Sequence, residues 1–194
     1  MAAPFSKREK LLLTGLLVFA AISALFTLNS LNHASRHNAF IGDSLTVMWD
    51  FPRSNLGIPG QTSTEILARF HYDIADQGYR KVFILAGSND ILHGVDPSLT
   101  LANLEAMADL TLQANAQPIL AEIPPIYRDN GKFLPAVRSL NARIAQLAAR
   151  RGFKLIDYYD AMNNRPNEYV DGVHIKPRSY LRMERALLRV ANPF

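Results

Sequence analysis

A serine near the start of the chain and a histidine near its end could together provide an activated nucleophile. Ser44 follows an apolar run and the turn-forming pair Gly42-Asp43. His174 comes three residues after Asp171. A serine hydroxyl is a weak nucleophile until a base takes its proton, and a histidine is an effective base when a carboxylate fixes its tautomer. Ser44, His174 and Asp171 are therefore candidates for the nucleophile, the base and the residue that orients the base.

Two loops between these residues could stabilise the negative charge that develops during acyl transfer. Gly60 ends the turn at residues 57–60, and Asn89 follows the apolar run 81–86. Acyl transfer needs hydrogen-bond donors aimed at the oxygen that becomes an oxyanion. A glycine also lets the backbone approach a substrate closely. We expect an oxyanion hole formed by the backbone N–H groups of Ser44 and Gly60 and the side-chain amide of Asn89.

The elements that must position these residues are visible as an alternation of apolar runs and amphipathic segments. This pattern begins at Asn38 and predicts an α/β fold with a parallel sheet. Strands are expected near 38–42, 54–58, 81–86, 118–123 and 153–157. Right-handed crossovers give a doubly wound sheet, in which ligands bind outside the carboxyl ends of the strands. Ser44, Gly60 and Asn89 each follow a strand end. The predicted fold and the predicted chemistry therefore both place the site at the carboxyl edge of the sheet.

Helix boundary signals fill the gaps between the strands. Thr62 and Glu65 have the spacing of a capping box. Pro97 follows an aspartate and can start the next helix. Gly152 follows a helical pattern over residues 134–151 and suits its C-terminal cap, and Pro177 can open the last helix.

The chain resembles the SGNH hydrolases, also called GDSL esterases and lipases. The matching blocks occur in the family's order: Gly42–Leu45, Gly57–Gly60, Gly87–Asp90 and Asp171–His174, with Glu122-Ile123-Pro124-Pro125 after the fourth strand. The resemblance runs from about Asn38 to the C-terminus. It implies a three-layer α/β/α, flavodoxin-like sheet with strand order 2-1-3-4-5.

The same resemblance implies that the site residues have the roles given above. Ser44 would be the nucleophile, His174 the base and Asp171 its orienting carboxylate. Gly60, Asn89 and the N–H of Ser44 would form the oxyanion hole. The expected activity is hydrolysis of carboxylic esters.

Aromatic residues near the site are candidates for contacting the substrate. Trp49 lies five residues after Ser44, and Tyr127 opens a polar loop after the fourth strand. Both are interpreted as substrate-binding residues that line an acyl or sugar pocket, with simple packing as the alternative. The polar loop over residues 127–132 could overhang the site. We expect neither a metal nor another cofactor, because the sequence shows no metal-ligand cluster and no phosphate-binding loop.

The charge of the chain does not argue for a nucleic acid partner, and we expect none. The formal net charge is +4, but residues 1–10 contribute three basic side chains and one acid, so the remaining chain carries 4 − 2 = +2. Arginines recur along the last helix at positions 178, 182, 185 and 189. A solvated helix face explains them simply; contact with anionic lipid or an acidic glycan is the alternative.

The N-terminus predicts a membrane anchor. Residues 11–28 contain no charge, and Lys7, Arg8 and Lys10 precede them. This length reaches the threshold for a spanning helix, and the charges place the N-terminus in the cytoplasm. We expect a cytoplasmic tail (1–10), a transmembrane signal anchor (11–28), a linker (29–37) and a hydrolase domain (38–194). The domain would face the periplasm or cell exterior from the inner (plasma) membrane; a cleaved signal peptide is the alternative.

The leading hypothesis is a membrane-anchored serine esterase, with O-acetyl or other acyl groups on glycans as possible substrates. An O-acyltransferase acting on an envelope or exported polysaccharide would use the same nucleophile. A glycan-binding subunit of an envelope assembly, with a membrane-protein partner, is a non-catalytic alternative. Lysophospholipase and thioesterase activities also fit the resemblance.

Overall fold

The computed structural model describes residues 14–23, 37–50 and 54–191. Residues 14–23 are helical and exposed. Among the described residues, no helix is both long and apolar enough to cross a membrane. The predicted spanning segment, residues 11–28, extends beyond the described residues on both sides. The predicted tail and most of the predicted linker lie outside the described residues. The anchor therefore stays a prediction.

A five-stranded parallel sheet forms the centre of the domain. Its strands are β1 (Asn38–Gly42), β2 (Ser54–Gly57), β3 (Lys81–Leu85), β4 (Gln117–Ala121) and β5 (Lys154–Ile156). Their order is β2-β1-β3-β4-β5, as the resemblance implies. The register places Gly42, at the end of β1, beside Gly57 of β2 and Leu85 of β3. The ends of these three strands thus meet at one edge.

Helices connect the strands and cover both faces of the sheet. They are α1 (Ser44–Val47), α2 (Ser63–Ile74), α3 (Ser88–His93), α4 (Pro97–Gln113), α5 (Arg128–Gly131), α6 (Leu134–Arg151), α7 (Tyr158–Met162) and α8 (Tyr180–Val190). Two 3₁₀ turns, Pro166–Glu168 and Pro177–Ser179, lie before α8. The last helix, expected to open at Pro177, therefore begins with a 3₁₀ turn and becomes α-helical only at Tyr180.

The predicted boundary residues act as expected at three helices. Thr62 and Glu65 form a complete capping box at the start of α2. Pro97 lies in the first turn of α4, and Asp96 caps that helix by accepting from the N–H of Ser98. Gly152 ends α6 with a φ of 67°, a left-handed conformation that favours glycine.

Alternating strand residues divide the core into two layers. One layer packs α2, α4 and α6 on the sheet, through side chains such as Ile66, Leu104 and Ile144. The other packs α1, α7 and α8 on the opposite face, around Trp49 and Met183. Because successive strand side chains point to opposite faces, both layers draw on every long strand. This packing makes the strand ends a rigid platform for the site.

Candidate active site

The turn between β1 and α1 presents Ser44 at the carboxyl edge of the sheet. Asp43 caps α1, with its Oδ1 accepting from the N–H of Leu45 at 2.9 Å. A Cβ at Gly42 would lie 2.3 Å from Thr46 Oγ1 and 2.4 Å from the carbonyl oxygen of Leu85. Only glycine fits there, so the chain can turn sharply and place Ser44 as the first residue of α1.

Ser44, His174 and Asp171 form a continuous hydrogen-bonded relay. The Ser44 hydroxyl donates to Nε2 of His174 across 3.1 Å. On the other side of the ring, Nδ1–H donates to Oδ2 of Asp171 across 2.8 Å. Asp171 thus holds the tautomer in which Nε2 is free to accept a proton, which is the arrangement that activates a serine.

Asp171 is held in its ionised form. Partial burial by itself would raise its pKa, but hydrogen bonds outweigh that effect and hold the pKa well below its usual range. The donors are the backbone N–H of His174, the His174 ring and the backbone N–H of Val173. A carboxylate that is charged at all working pH values can stabilise the imidazolium that forms during catalysis.

The loop that carries Asp171 and His174 is fixed to the loop after β4. The Tyr127 N–H donates to the Gly172 carbonyl at 2.7 Å. Gly172 has a φ of 82°, and a Cβ there would lie 2.5 Å from the Arg128 nitrogen. Arg128 also pairs with Asp171 at 3.4 Å, but both side chains are 41% exposed. Such an exposed pair contributes little energy, so backbone packing at Gly172 is the main restraint.

The three residues predicted to supply oxyanion donors, Ser44, Gly60 and Asn89, line the same cavity. Among the described residues, the backbone N–H groups of Ser44 and Gly60 have no hydrogen-bond acceptor. Gly60 has a φ of 80°, and no heavy atom lies within 4 Å of where its Cβ would be. The Asn89 amide donates to the Gln61 carbonyl at 2.9 Å and lies 3.4 Å from Oδ2 of Asp43. The predicted oxyanion donors are therefore together at the site.

Asp90 fixes these donors through a buried network that the sequence did not reveal in detail. Its carboxylate accepts from the Ser63 N–H at 2.8 Å, the Ser63 hydroxyl at 2.5 Å and the Thr100 hydroxyl at 2.9 Å. Asn103 donates to the Ser63 hydroxyl at 2.9 Å. Asp90 follows Asn89, and Ser63 lies just beyond the Gly60 loop, so the network sets the spacing of the two donors.

Arg69 is a second residue that sequence reasoning missed. Its guanidinium donates to the carbonyls of Leu56 at 2.7 Å and Gly42 at 3.2 Å, and to Gln61 Oε1 at 2.7 Å. These groups lie at the ends of β1 and β2 and in the Gly60 loop. An arginine that bonds backbone carbonyls has no fixed sequence spacing, so no motif could have identified it.

Asp43 is fully buried beside the relay. Burial raises its pKa to about 6, although the N–H of Leu45 and the charge of His174 oppose the shift. Its side chain caps α1 and also contacts the Asn89 amide. The expected turn-stabilising role of Asp43 is therefore present, together with a contact to an oxyanion donor.

An open cavity of about 660 Å³ lies over Ser44 and His174. Besides these two and Gly60 and Asn89, its lining residues are Met48, Pro59, Leu92, His93, Arg128, Asp129, Lys132, Phe133 and Val173. The loop after β4, expected to lie near the site, contributes Arg128, Asp129, Lys132 and Phe133 to this lining. Leu92, His93 and Phe133 were not identified from the sequence.

Trp49 and Tyr127, which were predicted to contact substrate, do not line this cavity. Trp49 is 5% exposed and packs against Phe40, Tyr158 and Tyr180 in the core layer under the sheet. The Tyr127 hydroxyl donates to the Met162 carbonyl at 3.2 Å, and its ring contacts Tyr169. Both side chains therefore stabilise the fold next to the site.

Within the part of the chain that the structure describes, no group of three His, Asp or Glu residues is arranged to hold a metal ion.

Comparison with known proteins agrees with this geometry. Residues 31–182 match the family model of the GDSL-like lipase/acylhydrolase family. No curated protein matches by sequence. A GDSL-like lipase from Bacteroides thetaiotaomicron is 28% identical, with a TM-score of 0.72 over 80% of this chain and 87% of that chain. A protein assigned as an acylhydrolase from Bacteroides fragilis is 29% identical, with a TM-score of 0.72 over 79% and 85%.

A third solved structure shares the fold at lower identity. The acetylxylan esterase of Geobacillus stearothermophilus is 20% identical, with a TM-score of 0.68 over 78% of this chain and 92% of that chain. The family match covers more than half of the chain and includes all four blocks around the cavity. The chain therefore belongs to the GDSL-like lipase/acylhydrolase family, whose members are hydrolases that act on ester bonds.

Proposed function

We propose that this protein is a serine esterase that cleaves carboxylic esters through an acyl-enzyme intermediate on Ser44. The observation that carries the proposal is the relay from Ser44 through His174 to Asp171, with contacts of 3.1 and 2.8 Å at the base of the cavity. A nucleophile, its base and an orienting carboxylate within hydrogen-bond distance are the signature of covalent acyl transfer.

In the first half-reaction, the Ser44 oxygen attacks the ester carbonyl while His174 Nε2 takes the hydroxyl proton. The carbonyl oxygen becomes an oxyanion, and the N–H groups of Ser44 and Gly60 and the Asn89 amide stabilise it. When the intermediate collapses, the C–O bond to the alcohol breaks and His174 returns the proton to the leaving oxygen. The products are the free alcohol and an acylated Ser44.

In the second half-reaction, water replaces the alcohol and the same groups act in reverse. His174 takes a proton from the water as its oxygen attacks the acyl carbon. The second oxyanion is stabilised by the same donors, and collapse breaks the bond to Ser44. The carboxylic acid is released, and the proton on His174 returns to the Ser44 oxygen.

The substrate class proposed here is esters of short acyl groups on glycans. The cavity is open and combines apolar side chains, such as Met48, Leu92 and Phe133, with polar ones, such as His93 and Lys132. A short acyl group can contact the first set and a sugar the second. The Geobacillus stearothermophilus protein with the same fold is an acetylxylan esterase, which supports this substrate class.

We also propose that residues 11–28 anchor the enzyme in the inner membrane, with the domain on the periplasmic or outer side. About ten residues separate Leu28 from β1, a reach of roughly 33–36 Å when fully extended. The support is the uncharged run and the basic residues before it. Because β1 runs away from this linker, the cavity over Ser44 would face away from the bilayer or sideways. This orientation favours a polymeric substrate over a lipid embedded in the bilayer.

Labelling with a fluorophosphonate tests the chemistry directly. The parent protein should form a covalent adduct, and Ser44→Ala should form none. Ser98→Ala is the matched control, because Ser98 is exposed at the start of α4, and it should label like the parent. Labelling of Ser44→Ala at the parent rate would refute the proposal.

A product assay then separates hydrolysis from transfer. The protein is incubated with an acetylated oligosaccharide, with and without an unacetylated polysaccharide acceptor. Hydrolysis predicts free acetate in both mixtures. Acetate transferred to the polysaccharide, with little free acid, would instead identify an O-acyltransferase. Preference for lysophospholipid would overturn the proposed substrate class while leaving the serine chemistry intact.

A further inference from the structure

The outward side of α8 carries a stripe of arginine and leucine side chains. The exposed members of this stripe, together with Arg178 of the 3₁₀ turn just before the helix, are called the α8 face below: Arg178, Leu181, Arg185, Leu188 and Arg189. The opposite side of the helix is buried through residues such as Met183 and Leu187. The helix is therefore firmly held by its inner side, and the α8 face is free to contact a partner.

The α8 face is positively charged and contains no carboxylate. Among the described residues, Arg178, Arg185 and Arg189 form no ion pair. Arg182 is less exposed and is held by Glu168 at 2.8 and 2.9 Å.

The acidic side chains of this region lie on the flanks. Asp157 and Asp160 share a surface cavity with Arg182, Arg185 and Arg189, and Glu184 is half-buried on α8. None of these carboxylates lies among the exposed side chains of the α8 face. Glu168 lines a neighbouring cavity with Arg178 and Arg185. Among the described residues, none of these carboxylates forms an ion pair with the three arginines of the α8 face.

Two leucines make the face apolar as well as basic. Leu181 is 57% exposed and Leu188 is 45% exposed, and they are seven residues apart, so they lie on the same side of the helix. A solvated surface or an acidic glycan would account for the arginines but gives the leucines no apolar contact. A lipid surface accounts for both, since arginines bind phosphate groups and leucines enter the boundary of the acyl chains.

We infer that the α8 face docks on a bilayer that contains anionic lipid. The proposal does not depend on the ester chemistry. It also defines an orientation. The Tyr180 hydroxyl at the start of α8 donates to the Leu45 carbonyl next to the site, whereas Lys154 at the start of β5 donates to Val190 at the helix end. The helix thus runs antiparallel to the strands. When the α8 face lies on the membrane, the cavity over Ser44 faces parallel to the membrane plane.

Site-specific fluorescence can test this docking because the chain contains no cysteine. Single cysteines are placed at Leu188 and, as a control, at Tyr72, which is 81% exposed on α2 over the other core layer. Each full-length variant carries an environment-sensitive dye and is reconstituted in nanodiscs of phosphatidylcholine, with or without phosphatidylglycerol. Both disc types can hold the N-terminal segment equally, so only docking of α8 distinguishes them.

We expect the dye at Leu188 to shift to shorter wavelength and to be shielded from acrylamide only in the anionic discs. The dye at Tyr72 should not change. Reversing Arg185 and Arg189 to Glu should remove the shift, whereas Lys at both positions should retain it. Because each basic residue near an anionic surface contributes roughly fivefold in affinity, the loss should be steep and salt-dependent.

Two results would overturn the proposal. One is a water-like emission at Leu188 in anionic discs while the protein keeps the circular dichroism spectrum of the folded parent. The other is shielding of Leu188 by a soluble acidic polysaccharide but not by anionic lipid, which would assign the face to a glycan.

Discussion

The side-chain amide of Asn89 donates a 2.9 Å hydrogen bond to the carbonyl of Gln61. Gln61 follows Gly60, so this bond joins two of the three proposed oxyanion donors into one unit. The other contact of the amide, to Asp43 Oδ2, is 3.4 Å long, which is too long for a strong hydrogen bond. The amide can therefore exchange this weak contact for a bond to an oxyanion while its bond to Gln61 keeps it in place.

Asn89→Ala should lower kcat by about 10²–10³-fold and change KM little. The reason is that the amide bonds an oxygen charge that exists only in the transition state. Steady-state kinetics on a soluble ester such as p-nitrophenyl acetate measures both constants. A change confined to KM would instead identify Asn89 as a residue that binds substrate in the ground state.

Asn141→Ala is the matched control for Asn89→Ala. Asn141 is buried, and its amide bonds both the N–H and the carbonyl of Ile123, but it does not line the cavity. Removing it should lower the free energy of unfolding by about 1–3 kcal/mol, because buried backbone groups lose their partners, while kcat stays within a few-fold of the parent. If both variants lost kcat equally, general loosening would explain the effect at Asn89.

The relay could be predicted because its chemistry demands particular residue types, even though Ser44 and His174 are 130 residues apart. The location of the site in the fold could be predicted because Ser44, Gly60 and Asn89 each follow the carboxyl end of a parallel strand, and these ends meet at one edge of the sheet. The burial of Trp49 could not be predicted in this way. Trp49 is near Ser44 in sequence, but α1 is only four residues long, and the chain after it turns the indole under the sheet. Such a direction depends on the tertiary packing of loops, which local spacing does not encode.

Asp171→Asn should lower kcat by about 10⁴-fold but retain more activity than Ser44→Ala or His174→Ala, which remove the covalent route altogether. The hydrogen bonds that hold the pKa of Asp171 below its usual range keep it charged, and an amide cannot stabilise the imidazolium. The measurement is single-turnover acylation by a p-nitrophenyl ester. Asp109→Asn, far from the site and paired with Arg151, should acylate at the parent rate. Equal loss in all three site variants would mean that Asp171 does more than orient His174.

Asp43→Asn should remove a pH-dependent penalty on folding. Burial raises the pKa of Asp43 from 3.8 to about 6, so the folded state binds this proton more tightly than the unfolded state. Folding is then progressively less favourable as the pH rises from about 4 to about 6, by on the order of 3 kcal/mol in total. Above that window the penalty is constant. Asparagine cannot ionise, and its side-chain oxygen can still accept from the N–H of Leu45.

Urea unfolding of Asp43→Asn and the parent between pH 4 and 8 tests this linkage. The stability of the parent relative to the variant should fall through the window and then level off. Because Asp171 and the other carboxylates are present in both proteins, their contributions cancel in the difference. A difference that does not vary with pH would show that burial does not raise the pKa of Asp43 above its value in the unfolded chain.

Phe133, not Trp49, should control the length of the acyl group that the enzyme accepts. Phe133 lines the cavity from the loop after β4, whereas Trp49 lies buried in the core layer under the sheet. Phe133→Ala should widen the cavity and raise kcat/KM for hexanoyl relative to acetyl esters by roughly tenfold, since one or two methylene contacts are worth about 1–3 kcal/mol. A series of p-nitrophenyl esters from acetate to octanoate measures this preference.

Trp49→Phe provides the contrast for Phe133→Ala. The smaller ring leaves a cavity among Phe40, Tyr158 and Tyr180, its aromatic neighbours, so the free energy of unfolding should fall by about 1–3 kcal/mol. The order of preference among the esters should stay that of the parent, because no group in contact with the acyl chain has changed. If Trp49→Phe altered the preferred chain length while Phe133→Ala left it unchanged, the acyl group would have to bind through the region around Trp49, and the cavity over Ser44 would not be the acyl site.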